Sequence, residues 1–406
     1  MKKIIQLFFI LVLIAACKSQ NEPVITEDAK PIVLRAGLEK RVAQDNEFAF
    51  DLFKKTIEDS GETNVLVSPL SVSIALGMAW NGAAGDTKTE MENTLKMSGL
   101  SVADINDYYK VMQSTLPAID PTTKLNIANS IWYRAGFEVK PAFLKQNTDY
   151  FNAEVRELDF AQAWAKDTIN NWCSRKTNHL IPEMLDEVAP DAVMYLINAV
   201  YFKGIWQKQF DKKNTLEANF TTEANEQVKV NMMFQKDTFL YVQDENAQYL
   251  DMPYGNKAFS MTVILPKEGK TTGDVLNFLT INQWSNVLQN LVSQEVEVYF
   301  PRFKTKNKFV LNESLKSMGM KLAFTGTADF SNIADAGLFI SRVLHDTYVE
   351  VTEEGTEAAA VTVIEFKNSM PMIPVFRVNK PFLYVICEKS TGVILFIGKM
   401  GSIEKY

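Results

Sequence analysis

Residues 353–367 constrain the fold most, because they can form a strand but lead directly into a turn-prone stretch. In an extended chain, alternate side chains fall on opposite sides. The small or apolar side consists of Thr356, Ala358, Ala360, Thr362, Ile364 and Phe366. The opposite side has three charged residues, and residues 368–374 contain two prolines, which disfavour a continued strand. Two interpretations remain open: a segment that exists both as an exposed loop and as an inserted strand, or a surface strand followed by a linker.

The N-terminal residues predict a secretion signal rather than a structural element. Lys2 and Lys3 precede an apolar run over 4–16, which is about half as long as a membrane-spanning helix. Small residues end the run at Cys17, as in a bacterial lipobox. The predicted organisation is a lipoprotein signal peptide over 1–16, a lipidated N-terminus and tether over 17–37, and one domain over 38–406. An ordinary secretion signal with an incidental cysteine is the alternative.

Acyl chains on Cys17 are expected to hold the protein on a bacterial membrane. Lys18 follows the cysteine and is compatible with the outer membrane. We therefore expect a secreted, lipid-anchored protein on the periplasmic side or the cell surface.

The charge balance disfavours nucleic-acid binding. Of 42 basic residues, Lys2 and Lys3 lie in the predicted signal, so 40 basic residues remain against 49 acidic ones, a net charge near −9. Residues 304–308 contain three lysines and could form a small basic patch, but a solvated charge run is the preferred interpretation. We expect no nucleic-acid partner and a monomeric protein.

Short-range patterns predict helices early in the chain and strands mostly later. The predicted helices cover 38–55, 71–80 and 163–177, and the predicted strands 64–67, 127–133, 195–202, 259–265, 296–300, 382–387 and 393–397. Residues 71–80 are nearly all small or apolar, so this helix should be buried all round. The continuous apolar run 195–202 is typical of a strand covered on both faces. The pattern indicates a mixed α+β fold with large sheets.

Residues that usually carry catalysis are scarce. The chain has two histidines, His179 and His345, and none of the common nucleophile-elbow, zinc-helix or phosphate-loop motifs. Cys173 and Cys387 lie in apolar stretches and are expected to be buried free thiols. The sequence therefore predicts no metal, no cofactor and no enzymatic activity, with a histidine-dependent hydrolase kept only as a control hypothesis.

Several separated motifs resemble the serpins, in the expected order, from about Leu38 to the C-terminus. They are Asn-Val-Leu-Val-Ser-Pro-Leu-Ser at 64–71, Asn-Ala-Val-Tyr-Phe-Lys-Gly-Ile-Trp at 198–206, the hinge at 353–360, Val-Asn-Lys-Pro-Phe at 378–382 and Leu-Phe-Ile-Gly-Lys at 395–399. The resemblance implies a serpin fold of the α+β class, with three β-sheets, about eight to nine helices and an exposed reactive-centre loop.

The resemblance also implies an irreversible suicide-substrate inhibitor of serine endopeptidases. A target protease attacks the loop and forms an acyl-enzyme, and the cut loop then inserts into the main sheet as a new strand and distorts the protease. Papain-like cysteine proteases also form acyl-enzymes and are further candidate targets. A non-inhibitory serpin that acts as a binding module is the alternative.

The resemblance assigns two groups of site residues. The hinge residues, which include a glycine pivot and small side chains, are Glu353, Gly355, Thr356, Ala358, Ala359 and Ala360. The residues that gate the opening of the main sheet are Ser68, Ser71, Asn198 and His345, with Trp206 near the top of the opening. Each gating residue can also be interpreted as an ordinary core residue. Val361 is bulkier than most serpins have there, but it falls on the outward side.

The scissile bond is expected at Ser369-Met370. Counting from the C-terminal side places it after Met370 instead, but Pro371 would then follow and make the bond a poor substrate. The preferred bond suits elastase-like and subtilisin-like enzymes. Cleavage at Lys367-Asn368 would suit trypsin-like enzymes, and cleavage at Phe366-Lys367 chymotrypsin-like ones.

Overall fold

The computed structural model describes residues 27–355 and 373–405. Within these ranges the chain forms nine α-helices: α1 Glu39–Ser60, α2 Pro69–Trp80, α3 Gly85–Thr94, α4 Val102–Thr115, α5 Pro141–Phe151, α6 Ala165–Lys176, α7 Thr272–Phe278, α8 Ile281–Asn290 and α9 Asn312–Ser317. Three short 3-10 helices accompany them. No helix of this part of the chain combines the length and the apolar character needed to cross a membrane.

Fourteen strands lie in the same ranges. They are β1 Asn64–Val67, β2 Lys124–Arg134, β3 Glu154–Leu158, β4 Met194–Lys203, β5 Leu216–Thr221, β6 Gln227–Gln243, β7 Ala247–Pro253, β8 Phe259–Pro266, β9 Val292–Pro301, β10 Phe303–Val310, β11 Leu344–Val351, β12 Val375–Arg377, β13 Phe382–Glu388 and β14 Ile394–Met400. The expected α+β class is confirmed.

The described strands form three sheets, as expected. Nine belong to one sheet in the order β1-β14-β13-β8-β7-β6-β9-β12, with β5 paired to β6. A second sheet has the order β3-β2-β4, and β10 and β11 form an antiparallel pair. The large sheet holds the most apolar strands, since every residue of β8, β13 and β14 is buried.

Helix α2 is the central helix of the main core. Pro69 occupies its first turn, where a missing N–H costs nothing, and all its residues except Ala75 are buried. The helix packs against β4 on one side and β14 on the other. The expectation that this helix is buried all round is confirmed. Because α2 packs against β4, it lies beneath that end of the second sheet.

The prediction that residues 195–202 are covered on both faces is confirmed, because no residue of β4 is exposed. Along β4, half-buried residues alternate with buried ones such as Ile197 and Ala199. Ile197 and Ala199 lie in a smaller core on one face, and Leu196 and Val200 pack against the main core on the other. Strand β4 is also the last strand of its sheet, so one of its backbone edges has no pairing neighbour. The apolar run therefore borders an opening.

Residues 28–35 lie against the fold, although the tether was expected to extend through residue 37. The Ala29 N–H donates to the Asn256 carbonyl over 2.9 Å, and the Ile32 N–H donates to the Ser390 hydroxyl over 2.9 Å. Arg35 forms ion pairs with Asp104 and Asp107 on α4. Ile32 supplies an apolar anchor that is 8% exposed, which explains why a polar stretch packs here.

Candidate functional site in the gap between strands β4 and β11

Strands β4 and β11 run side by side, but no hydrogen-bonded ladder joins them in the described residues. Their C-terminal ends are bridged by Trp206. Its indole N–H donates to the Thr352 carbonyl over 3.0 Å, and its backbone N–H donates to the Glu354 carbonyl over 3.1 Å. The ring stacks on Tyr254 with centroids 4.3 Å apart. Trp206 therefore joins the two strands at one end of the gap.

A cavity of about 280 Å³ occupies the other end of the gap. Its two walls are residues 194–198 of β4 and residues 341–345, which lead into and begin β11. The floor is α2, and its contributing side chains are Ser71, Val72, Ala75, Leu76 and Ala79. The two sheets thus face each other across an unfilled space that lies above a helix.

The four predicted gating residues form two pairs at this gap. Ser71, Asn198 and His345 line the cavity, and Ser68 reaches it through His345. The Ser68 N–H donates to His345 Nε2 over 2.9 Å. The Ser71 hydroxyl donates to the Asn198 side-chain oxygen. Asn198 Nδ2 in turn donates to Asn129 Oδ1 over 2.6 Å. Each pair joins the segment of β1 and α2 to one of the two strands that border the gap.

Asn129 is a member of this network that the sequence reasoning missed. It is 2% exposed on β2, and its Nδ2 donates to the Phe151 carbonyl over 2.6 Å. An asparagine inside the apolar run 127–133 was the available signal, because a buried amide needs fixed hydrogen-bond partners.

His345 and Asp346 are neighbours with opposite protonation behaviour. Burial lowers the pKa of His345 to about 4, so the ring is neutral at physiological pH and can accept the Ser68 N–H. Burial raises the pKa of Asp346 to about 6, although Lys306 and Lys308 oppose the rise. One Asp346 oxygen is buried and has no hydrogen-bond partner among the described residues.

The described part of the hinge begins at a buried carboxylate. Glu353 is 1% exposed and accepts hydrogen bonds from Arg302 over 2.6 Å and from Thr215 over 2.5 Å. Burial alone would raise the pKa of Glu353, but the hydrogen bonds from Arg302 and Thr215 outweigh it and leave the pKa lowered. Glu354 pairs with Lys212. Both pairs hold the base of the segment in place, and the sequence reasoning missed Arg302, Thr215 and Lys212.

Gly355 ends the described part of the hinge, and only glycine fits its place. Its φ is +67°, in the left-handed region. A Cβ atom there would lie 2.2 Å from the Trp206 backbone nitrogen and 2.8 Å from the Gly204 carbonyl oxygen. The predicted pivot is therefore a close approach of two backbones.

The remaining predicted site residues lie outside the described residues. These are the hinge residues Thr356, Ala358, Ala359 and Ala360, the scissile-bond candidates Phe366, Lys367, Asn368, Ser369 and Met370, and the lipidation residue Cys17. On the far side of the segment, β12 pairs with β9 in parallel. The segment therefore leaves from the end of β11 and rejoins the fold at a different sheet.

The described residues hold no group of three or more side chains that could bind a metal ion. Cys173 and Cys387 are both free and buried, as expected.

A family model described as "Serpin (serine protease inhibitor)" matches residues 43–403. Leukocyte elastase inhibitor of Xenopus laevis is 35% identical over 371 residues, which cover 87% of this chain and 97% of the relative. An uncharacterized serpin-like protein of Methanosarcina acetivorans is 33% identical over 371 residues, which cover 88% and 87%.

Solved structures give the same result. The native state of the thermophilic serpin tengpin superimposes with a TM-score of 0.83 at 34% identity, covering 93% of this chain and 97% of tengpin. Human thyroxine-binding globulin in complex with thyroxine superimposes with a TM-score of 0.82 at 28% identity, covering 91% and 100%.

Proposed function

The chain belongs to the serpin family, and on this premise we propose that it is an irreversible suicide-substrate inhibitor of serine endopeptidases. The observation that carries the proposal is the gap itself. Two strand edges face each other without a ladder, and the segment 356–367, which has a strand-forming sequence, follows shortly after the end of one of them. Unpaired edges favour the addition of a strand that satisfies both.

The chemical step belongs to the protease. Its serine oxygen attacks the carbonyl carbon of the scissile residue, the peptide bond breaks, and the leaving nitrogen takes up a proton. The new C-terminal fragment stays on the inhibitor, because β12 pairs with β9 and β13 and β14 lie in the core of the large sheet. The other new end carries the protease as an ester. Cleavage therefore frees one end of the segment without releasing either fragment.

Insertion of the freed end into the gap is the step that makes inhibition irreversible in this mechanism. The small side of the segment, from Thr356 to Phe366, can enter between β4 and β11 because alanine and threonine fit between strands that are already packed. About 15 inserted residues, each adding ~3.3 Å, would move the attached protease a distance of ~50 Å. The uncut protein is then a kinetically trapped state, since the added ladder becomes available only after cleavage.

Ser369-Met370 is the proposed scissile bond, which makes elastase-like and subtilisin-like enzymes the first candidates as targets. Trypsin-like cleavage after Lys367 remains a second possibility. The proposed setting is a bacterial membrane, to which the mature protein is attached through lipid on Cys17 after removal of residues 1–16.

A second candidate is a non-inhibitory serpin that binds a ligand. It is favoured by the likeness to thyroxine-binding globulin, whose solved structure contains thyroxine. The hinge argues against it, because Gly355 and the alanines at 358–360 contain neither charge nor proline to oppose insertion.

Denaturing gel electrophoresis separates these candidates. The mature protein is mixed separately with elastase, subtilisin and trypsin. Denaturation then separates the C-terminal fragment, which is identified by mass spectrometry. A band at the summed mass of inhibitor and protease is expected for at least one enzyme, with a fragment that begins at Met370. Clean cleavage that leaves full protease activity would contradict the proposal and favour the binding module.

A further inference from the structure

The cavity at the open end of the gap has the features of a ligand site. Its volume of about 280 Å³ lies near the lower end of small-molecule pockets. A void needs only about 10–15 Å³ of this kind of volume to hold one water molecule, so the space is large enough for an apolar chain rather than a single water. Apolar side chains line it, among them Val72, Leu76, Met184, Leu196, Phe339 and Ile340.

Most polar side chains of the lining already have partners. Ser71 is paired with Asn198, Asn198 also binds Asn129, and His345 accepts the Ser68 N–H. An occupant therefore does not need polar groups at the end near α2. An apolar body fits that end because it leaves these existing pairs intact.

Arg342 is the positively charged residue that lines the cavity. It is half-buried, and its guanidinium has no hydrogen bond or ion pair within the described part of the chain, although it lowers the pKa of Asp186 electrostatically. The acidic residue of the lining, Asp191, is exposed and therefore solvated. Phe339 also lines the cavity and has 51% of its surface exposed, so an apolar side chain of the lining is open to solvent.

From this distribution we propose that the cavity binds a small amphipathic carboxylate of about the size of a medium-chain fatty acid. The chain lies over α2 between the two strands, and the carboxylate pairs with Arg342. The site exists in the intact protein and does not depend on the proposed inhibitory function. If that function holds, the ligand would occupy the path of the inserting segment and divert the inhibitor toward simple cleavage.

Decanoate, below the concentration at which it forms micelles, is the probe, with the neutral decanamide as its matched analogue. Binding to the intact mature protein is measured by titration calorimetry. Saturable one-to-one binding of decanoate is expected, with decanamide roughly tenfold weaker because it lacks the charge-assisted contact. Absence of saturable binding, or equal affinity for both probes, would overturn the proposal.

Two substitutions, with a third as control, test whether the ligand binds in this cavity. Arg342→Met should weaken decanoate binding roughly tenfold and leave decanamide binding unchanged. Ala75→Leu fills the floor of the cavity from α2 and should remove binding of both probes. Arg175→Met, which removes an exposed arginine outside the cavity, is the control and should bind like the wild type. Unaltered decanoate binding by Arg342→Met, or by a folded Ala75→Leu protein, would show that the ligand lies elsewhere.

Discussion

In the proposed mechanism, single buried groups control how easily the gap between β4 and β11 opens. Glu353 holds the base of the reactive segment through Arg302 and Thr215, and Trp206 holds the same region through two carbonyls. Asp346 has the opposite effect on stability. Its buried carboxylate oxygen has no hydrogen-bond partner among the described residues, which destabilises the folded state that buries it. Both effects can be measured one residue at a time.

Asp346→Asn should change how stability depends on pH. The folded pKa of about 6 lies above the ordinary value of 3.8, so the contribution of Asp346 is fully present below about pH 4 and is lost as the pH rises through about 6. The variant should be more stable than the wild type at about pH 7.5, by roughly 1–2 kcal/mol, and nearly equal at about pH 4. His345 has the opposite dependence but is present in both proteins.

Urea unfolding at both pH values measures this difference. Glu62→Gln, which neutralises an exposed carboxylate in a loop, is the matched control. A difference between Asp346→Asn and the wild type that stays constant from about pH 4 to about pH 7.5 would show that Asp346 is not responsible.

Gly355→Ala should destabilise the base of the segment. The added Cβ would meet the Trp206 backbone, and the positive φ is itself unfavourable for alanine, so a loss of roughly 1–3 kcal/mol is expected. Thermal unfolding compares the variant with Gly326→Ala, where an added Cβ meets no atom within 4 Å and the backbone is unstrained. Equal unfolding midpoints for the two variants would contradict the close approach seen here.

At the scale of elements, the edges of β4 and β11 define the site. Both strands are paired on one side only, to β2 and to β10, and α2 lies beneath them. The segment that is proposed to fill the gap has to present small residues on the side that becomes buried. The alternation of side chains along this segment therefore predicts at which positions a charged residue still permits insertion.

Ala358→Arg and Ala359→Arg form a matched pair of adjacent substitutions on opposite sides of the segment. Ala358→Arg would bury a charge on insertion, at a cost of several kcal/mol, so it should yield cleaved inhibitor and active protease. Ala359→Arg adds a charge to the side that already has three, so it should still form the covalent complex. The fraction of inhibitor found as complex on a denaturing gel measures the effect. Equal fractions, or the reverse order, would contradict the predicted alternation.

Local signals predicted the elements well, because capping and apolar runs act over a few residues. Strand β1 has the predicted bounds, and Pro69 marks the start of α2. The open side of β4 could not be predicted, since an apolar run does not reveal whether a neighbouring strand is present. Arg302 lies 51 positions before Glu353, and Ser68 lies 277 before His345. Only the family resemblance grouped Ser68 with His345, and it did not identify Arg302.

At the scale of the whole molecule, the proposed mechanism requires that the intact protein has not reached its most stable state. The second sheet and the β10-β11 pair face each other across a gap, and the same chain contains a segment suited to fill it. Cleavage between β11 and β12 would let that segment join the two sheets into one. The gain comes from new ladder bonds and burial of the segment, so the cut protein should be more stable than the intact one.

Thermal unfolding of intact and cleaved protein tests this claim most directly. A metalloprotease is used for the cut within residues 356–372, because it forms no acyl-enzyme and leaves the cleaved inhibitor free. Cleavage should raise the unfolding midpoint by at least about 10 °C, whereas cleaved Ala358→Arg protein should show no such rise. A cleaved wild-type protein that unfolds at or below the temperature of the intact one would contradict insertion of the segment, and with it the proposed mechanism of inhibition.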